Sequence, residues 1–508
     1  MPNLDNQRIA KNTIVLYLRM FITMIVSLYT SRVVLLTLGF EDFGIYGVVG
    51  GVVSLFSFIN AALSLSTSRF LTFEIGSNNF IKAQQVFSAA YIIHLMVALL
   101  IFILAETLGL WMFFNVLIIP EERFLAAMWV YQCSVFSMMI NITQVPYNAA
   151  IISHEKMNIY AYVEFLNVIL KLIIVYCLLI DSIDRLKLYS MLQLAVNVLI
   201  ALIYRMYSKH HFSECMVTWK FETEIAKSMT GFTAWTILGN IAYIGITQGV
   251  NMLLNVFFGP VVNSARSIAV QVQSTLNGFW TNFLTAVNPQ IIKSYASNDL
   301  VRMQELVVSS SLYSFYLLLL FTAPVLVETT VLLEIWLDKV PKYTVAFVQL
   351  SLIVSLLDCM SEPLVNAIKA TGRIKVYQVV ISIVLLFILP VSYILFKLGC
   401  SPFYVYIVNV LISLISLFIR VCFARKLIGI SLAYYVKRVF LRAFIVAIIS
   451  FAFIFLLKYF FIPSGIFQTL LFCCLIFVQT SIFVFFLGLQ KNERYVLLSY
   501  CKNKISKK

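Results

Sequence analysis

Charged residues are scarce in this sequence. Asp, Glu, Lys and Arg make up 12% of the 508 residues, about half the share found in soluble domains, whereas hydrophobic residues make up 61%. A water-soluble domain of this size would not stay dispersed with that composition. No stretch of soluble-domain length separates the apolar runs, which argues against an appended catalytic domain.

Patterns that bind metals or activate nucleophiles are also missing. The nine cysteines lie mostly within apolar stretches, without the CxxC spacing or histidine cluster that would indicate zinc. No Gly-rich phosphate loop or GxSxG elbow stands in a convincing context, which disfavours ATP hydrolysis and nucleophilic catalysis. We predict no cofactor, no metal, no catalytic residue and no enzymatic activity.

Long apolar runs fill the chain instead, from near Asn12 to near Gly488. Each run is long enough to cross roughly 30 Å of hydrocarbon as a helix. The sequence therefore predicts an all-α integral membrane protein with about fourteen transmembrane helices. Their centres lie near residues 25, 57, 101, 136, 169, 197, 245, 277, 316, 355, 387, 412, 452 and 476.

The positive charges are unevenly placed. The chain has 37 Lys and Arg against 22 Asp and Glu, a formal net charge of +15. Most of the basic residues fall in predicted loops on the side that holds both termini, which predicts cytoplasmic termini. Anionic membrane lipids would attract these residues, so the charge does not indicate nucleic acid as a partner.

A weak internal repeat suggests duplicated halves. Residues 75–84 resemble residues 295–304, and residues 146–160 resemble residues 363–377. Because six helices separate the copies, the halves would run parallel; chance similarity of loop composition is the alternative. The predicted divisions are residues 1–207 (helices 1–6), a cytoplasmic linker at 208–229, residues 230–426 (helices 7–12), and residues 427–508 with two further helices and a basic tail.

Four predicted helices carry polar stripes on one face. The stripes comprise Asn12, Arg19, Thr23, Ser27 and Thr30; Ser57, Asn60, Ser64 and Thr67; Thr233, Thr236, Asn240, Thr247, Asn251 and Asn255; and Asn263, Arg266, Gln273, Asn277, Thr281 and Asn288. Hydrogen bonding between packed helices would explain any single member. Since the stripes occupy the first two helices of each half, together they predict a polar central cavity.

Charges inside the spans are costly and indicate function. Lys171 lies near the middle of its helix, with Glu164 on the same face; the pair could instead neutralise itself. Arg19 lies well inside the first helix, where reaching the membrane surface is difficult. Arg32 and Arg266 lie nearer helix ends, where exposure to the membrane surface explains them equally well.

Asp358 and Glu362 lie one turn apart, just before Pro363. Two carboxylates at this spacing could bind a proton or a cation. The alternative is a pair near a helix end that meets cytoplasmic water.

Several segments resemble Wzx-type polysaccharide (O-antigen) flippases of the multidrug/oligosaccharidyl-lipid/polysaccharide (MOP) exporter superfamily. The segments are Asn12-Thr-Ile-Val-Leu-Tyr-Leu-Arg19, Ser27-Leu-Tyr-Thr-Ser-Arg32, Leu38-Gly-Phe-Glu-Asp-Phe-Gly-Ile-Tyr46, Ser68-Arg69-Phe70, Asn288-Pro-Gln290 and Pro363 to Gly372. The resemblance implies a MATE-like fold in a bacterial inner membrane. It also implies alternating access and a cargo of undecaprenyl-diphosphate-linked oligosaccharide, destined for surface polysaccharide such as lipopolysaccharide.

That cargo assigns expected roles to the polar residues. Arg19, Lys171 and Arg266 are the predicted diphosphate contacts, because guanidinium and ammonium groups bind phosphate oxygens. The further substrate-binding candidates are Arg32, Asn240, Asn251, Gln273 and Asn277. The ion-coupling candidates are Asp358, Glu362 and Glu164. A polysaccharide polymerase and chain-length machinery are the protein partners that the resemblance implies.

Two other functions are compatible with the long apolar runs of this sequence. A multidrug or small-molecule exporter of the same superfamily would use the same fold. A polytopic polysaccharide polymerase or glycosyltransferase would be expected to have a sizeable outer loop, which the predicted topology lacks.

Overall fold

A computed structural model shows the architecture. It describes residues 12–23, 57–115, 119–178, 184–218, 222–337, 340–461, 465–490 and 493–494, with isolated positions between 26 and 49. The described residues form fifteen helices and no strand, which confirms the predicted all-α class. The helices are α1 (Asn12–Thr23), α2 (Ser57–Gly76), α3 (Phe80–Asn115), α4 (Phe124–Ser153), α5 (Met157–Cys177), α6 (Arg185–His211), α7 (Thr223–Phe258), α8 (Pro260–Ala296), α9 (Leu300–Val327), α10 (Thr329–Trp336), α11 (Thr344–Ala370), α12 (Lys375–Lys397), α13 (Tyr404–Ile428), α14 (Leu432–Phe460) and α15 (Ile466–Gly488).

Eleven of the described helices are long and apolar enough to cross a membrane. The other four are α1, α2, α8 and α10; of these, α8 is long but carries a polar stripe, and the short α10 has no counterpart among the predicted helices. The exact number of about fourteen crossings therefore stays a prediction. Arg32 and Ser27 lie outside the described residues, as do the side chains of Ser57, Asn255 and Asn263.

The chain divides into two compact units. Unit 1 comprises Met1–Ile241 and Ile292–Asp299, and unit 2 comprises Ala242–Ile291 and Leu300–Lys508. In unit 1, α4 packs most extensively against α6 and also against α2 and α3. In unit 2, α11 packs against α9 and α13, while α15 covers α9. Helices α4 and α11 thus occupy corresponding central positions, each in its own unit.

The two repeated sequence segments form matching turns. Asn78 ends α2 and Asn298 ends α8 with φ values of 56° and 58°, and each amide binds a carbonyl three residues back at 3.1 Å. After the central helices, Glu155 and Gly372 have φ values of 58° and 74°. Asparagine and glycine tolerate this left-handed conformation, which accounts for Asn78, Asn298 and Gly372, whereas Glu155 adopts it without that advantage. Both pairs of repeated segments nevertheless end their helices with the same backbone conformation. The predicted domain boundaries themselves stay predictions.

Candidate functional site

The clearest polar site in unit 2 centres on Arg266 of α8. Its side chain is buried, at 8% exposure. Nε donates to Asn251 Oδ1 at 2.5 Å and Nη2 donates to the Thr247 carbonyl at 3.3 Å, while the guanidinium lies 6.0 Å from the Tyr406 ring. Thr247 and Asn251 are one turn apart on α7 and therefore share a face. Arg266 forms no ion pair with any residue that the structure describes, so neutral acceptors hold this cation.

The other predicted amides of α7 and α8 are engaged within the protein. Gln273 Nε2 donates to the Ser351 carbonyl at 3.1 Å and to Ser355 Oγ at 2.9 Å, which joins α8 to α11. Asn277 accepts from the indole of Trp280 at 3.0 Å on its own helix. These contacts match the packing explanation for such residues.

Asn240 is half-buried on α7 but belongs to unit 1. It lies eleven residues from Asn251, or roughly 16 Å along the helix. The structure therefore does not bring Asn240 to the Arg266 site.

A second polar cluster in unit 2 surrounds Asp358 and Glu362. Both carboxylates are half-buried on α11 and interact electrostatically with Arg420 of α13. Arg420 donates to the Ser361 hydroxyl and also interacts with Tyr377 of α12. The carboxylates thus share one internal guanidinium.

Arg420 is the main candidate site residue that the sequence pattern does not single out. It lies only five residues before Arg425, close to the end of α13, and therefore looks like one of the charges that border a membrane span. The sequence does offer one indication of a role for Arg420, because it lies about one and a half turns before Arg425, inside an otherwise apolar run. Its partners on α11 could not be seen without the fold.

In unit 1, two predicted site residues, Arg19 and Glu164, lie near the same pair of tyrosines. The Arg19 guanidinium lies 4.8 Å from the Tyr160 ring. Tyr204 of α6 is buried and interacts electrostatically with both Arg19 and Glu164. Arg19 and Glu164 are therefore brought to one aromatic-lined cluster, although sequence spacing linked Glu164 to Lys171.

Lys171 lies apart from that cluster. It is half-buried on α5, about 10 Å along the helix from Glu164. Within the described part of the chain, Lys171 forms no ion pair. The alternative in which Lys171 and Glu164 neutralise each other is not what the structure shows.

Three clusters of titratable side chains join separate segments of unit 1. Arg123 binds Asp42 and Asp184, and His154 binds Glu214, whose side chain is buried. Burial raises the pKa of Asp184, but hydrogen bonds from the Lys187 amide and the Arg123 guanidinium outweigh it and lower the pKa below its ordinary value.

Glu214 follows the same physics. Burial is the largest single effect and raises its pKa, but the hydrogen bond with His154, a backbone hydrogen bond and the Coulombic interaction with His154 together outweigh burial, so the net pKa is lowered. The third cluster joins Glu155 Oε1 to Lys293 Nζ at 2.5 Å, with Asn12 donating to the Glu155 carbonyl at 3.3 Å. Among the described residues, no group of three or more His, Cys, Asp or Glu is placed to hold a metal ion.

No protein-family model matches the chain, and no curated protein sequence matches it. Solved structures do resemble it. A MATE protein in its straight conformation aligns with a TM-score of 0.70 at 14% identity, over 84% of this chain and 96% of that one. A MOP superfamily transporter from Pyrococcus furiosus Vc1 gives a TM-score of 0.67 at 15% identity, over 82% and 96%. An outward-facing multidrug resistance MATE family transporter gives 0.64 at 14%, over 82% and 96%. The chain therefore has the MATE-like fold that its sequence predicts.

Proposed function

We propose that this chain is a membrane transporter of the flippase type, which moves undecaprenyl-diphosphate-linked oligosaccharide from the cytoplasmic to the periplasmic leaflet by alternating access. The process served would be surface polysaccharide biosynthesis at a bacterial inner membrane. The observation that carries the proposal is Arg266, a buried guanidinium held by the neutral acceptors Asn251 and Thr247.

The charge of this site favours an anionic cargo. A buried cation that no carboxylate of the described residues pairs with is electrostatically incomplete, and a diphosphate would complete it with charge-assisted, bidentate hydrogen bonds. The Asn251 amide, which also donates to Gln248 at 3.2 Å, offers groups that can exchange partners with sugar hydroxyls. The polyprenyl tail can stay in lipid throughout.

The remaining predicted residues take supporting roles in the proposal. Arg19, Lys171 and Arg32 would contact the anion, and Asn240, Gln273 and Asn277 would line or stabilise the sugar path. Asp358, Glu362 and Glu164 would couple transport to an ion. No catalytic step is required, because the cargo changes leaflet without changing covalently.

A flip assay in liposomes tests the proposal. Purified protein is reconstituted with a fluorescent lipid-linked oligosaccharide, and a membrane-impermeant quencher reports the fraction in the outer leaflet. Arg266→Gln removes charge-assisted hydrogen bonds worth about 1.5–3 kcal/mol each, so the rate should fall at least tenfold. Arg373→Gln is the matched control, because Arg373 is exposed in the turn after α11. Equal rates for Arg266→Gln and wild type would refute the role of Arg266.

Export of cationic drugs is the second candidate, because the chain shares its fold with multidrug resistance MATE transporters. The P. furiosus MOP transporter is described as having a binding pocket of reversed polarity that suggests a different function, so this fold accommodates opposite pocket charges. Ethidium efflux from the same liposomes separates the two candidates. Ethidium efflux without glycolipid movement would favour the exporter over the flippase.

A further inference from the structure

The Arg266 site and the carboxylate cluster are joined along one packed face. Arg266 and Gln273 are seven residues apart on α8, or nearly two full turns, and so point in similar directions. Gln273 Nε2 binds the Ser351 carbonyl and the Ser355 hydroxyl of α11. Asp358 follows Ser355 by less than one turn. Seven residues along α8 and three along α11 rise by roughly 15 Å in total, which we take as the separation between Arg266 and Asp358.

The carboxylate cluster contains more negative than positive groups. Asp358 faces Glu362 on its own helix, Arg420 and Ser413 on α13, and Tyr243 on α7. Glu362 also lies near Tyr377 of α12, and Tyr435 of α14 lies near Arg420 and Cys359. Among the described residues of the cluster, two carboxylates accompany one guanidinium, since the tyrosines and the cysteine are neutral near pH 7. The cluster therefore has a net charge of −1, and one proton on either carboxylate would neutralise it.

Tyr243 connects the two sites from α7. Its backbone carbonyl accepts from the Thr247 hydroxyl at 2.9 Å, and the Thr247 carbonyl in turn accepts from Arg266 at 3.3 Å. The Tyr243 phenol interacts electrostatically with both Asp358 and Arg266. The Tyr243 side chain is 68% exposed, so the field of the carboxylates reaches the anion site partly through solvent, and an effective dielectric constant of about 20 applies.

We propose that protonation of the Asp358–Glu362 cluster and binding of a diphosphate diester at Arg266 are thermodynamically linked. A proton on either carboxylate removes a negative charge that repels the anion, and the bound anion favours uptake of that proton by the same factor. For unit charges about 15 Å apart at an effective dielectric constant of about 20, the factor is roughly sixfold for each anionic charge. The identity of the anion rests on the proposed function.

The placement of the histidines makes this linkage measurable. All four of them, His94, His154, His210 and His211, belong to unit 1, whereas Arg266 and the carboxylates belong to unit 2. A diphosphate diester has no second phosphate ionisation near neutral pH, so its charge is constant. A response of the unit 2 site between about pH 5.5 and about pH 7.5 therefore does not come from a local histidine or from the ligand.

Calorimetric titration of the full-length protein in detergent with uridine diphosphate glucose tests the linkage. Wild type should bind at least fivefold more tightly at about pH 5.5 than at about pH 7.5 and should take up protons on binding, shown by titrations in buffers of different ionisation enthalpy. Asp358→Asn combined with Glu362→Gln should bind tightly at both pH values. Glu334→Gln, which alters an exposed carboxylate of α10, should keep the wild-type pH response.

The outcomes separate the linkage from the proposed function. Wild-type binding that needs Arg266 but is equal at both pH values, without proton uptake, overturns the linkage and leaves the anion site standing. A pH response that persists in the double variant also overturns it. Absence of wild-type binding, or binding unchanged by Arg266→Gln, overturns the Arg266 site and the linkage together. The wild-type proton uptake decides the matter even if the double variant does not fold.

Discussion

Replacing Arg123 by glutamine should weaken unit 1 where Arg123 joins Asp42 to Asp184, the N-cap residue of α6. Nε donates to Asp42 Oδ1 at 2.7 Å and Nη1 donates to Asp184 Oδ2 at 2.7 Å, with Nη2 completing the pair to Asp42. The three side chains are 25%, 15% and 26% exposed, so the pairs fall between solvent-exposed bridges, worth about 0–1 kcal/mol, and buried ones. We expect a loss of about 2 kcal/mol for Arg123→Gln, because Asp42 and Asp184 both lose their hydrogen-bonded guanidinium, while Asp184 keeps its Coulombic interaction with Lys187.

The control exploits the second role of Asp184. Its carboxylate accepts from the Leu186 and Lys187 amides at 3.1 Å and so caps α6. Asp184→Asn keeps a good cap but loses the charge, whereas Asp184→Ala loses both and should cost about 1 kcal/mol more. Tryptophan fluorescence during thermal unfolding in detergent measures each variant. A double-mutant cycle of Arg123→Gln with Asp42→Asn should show coupling of at least about 0.5 kcal/mol, and simple additivity would refute the argument.

The stability contributed by the ion pair between Arg123 and Asp184 should depend on pH in a definite direction. The pKa of Asp184 is lower in the folded protein than in the unfolded chain. Its contribution is therefore present above the unfolded pKa, about 3.9, and is lost as the pH falls through the folded value. The difference between wild type and Arg123→Gln should stay constant from about pH 7 to about pH 5 and shrink below about pH 4. A difference that shrinks already between pH 7 and pH 5 would contradict this assignment.

Three further predictions concern packing, a buried ion pair and topology. A methyl group at Gly76 would meet the Lys293 Cα at 2.8 Å, so Gly76→Ala should lower the unfolding temperature, whereas Gly231→Ala meets open space and should not. Glu155→Gln should lower the unfolding temperature by several degrees, because it leaves Lys293 without its charge partner; an unchanged temperature would contradict this. A fluorescent reporter fused after Lys491 should be active and a phosphatase fusion inactive, as expected for a cytoplasmic C-terminus.

Local features of the fold could be predicted from the sequence. The matching turns at Asn78 and Asn298 need only a helix ending and a residue that tolerates positive φ, both encoded within a few residues. Apolar runs likewise give the helices, because backbone groups in hydrocarbon must be satisfied within the segment. Short helices such as α10 escape this signal, since eight residues do not form a spanning run.

Long-range charge partners could not be predicted. The segment containing Asp42 was recognised by resemblance, but its partner Arg123 lies 81 residues away. Arg420 and Asp358, like Glu164 and Arg19, are also far apart in sequence. Helical periodicity fixes only which residues share a face of one helix, so it cannot predict that these pairs lie close together. Spacing along one helix predicts a pair between Lys171 and Glu164, but the packing of α5 against α6 places Glu164 beside Tyr204.

The buried Arg266 and the half-buried Arg420 of unit 2 differ in what surrounds them, and that difference distinguishes the roles that we propose for them. The Arg420 guanidinium interacts electrostatically with two carboxylates, those of Asp358 and Glu362, so its charge is already more than balanced within the protein. Among the residues that the structure describes, the partners of Arg266 are an amide oxygen, a carbonyl and an aromatic ring. Removing Arg420 would leave uncompensated negative charge and threaten the fold, whereas removing Arg266 leaves neutral groups that tolerate its loss. A binding site needs the second kind of residue, because only an unbalanced charge gains by meeting a ligand.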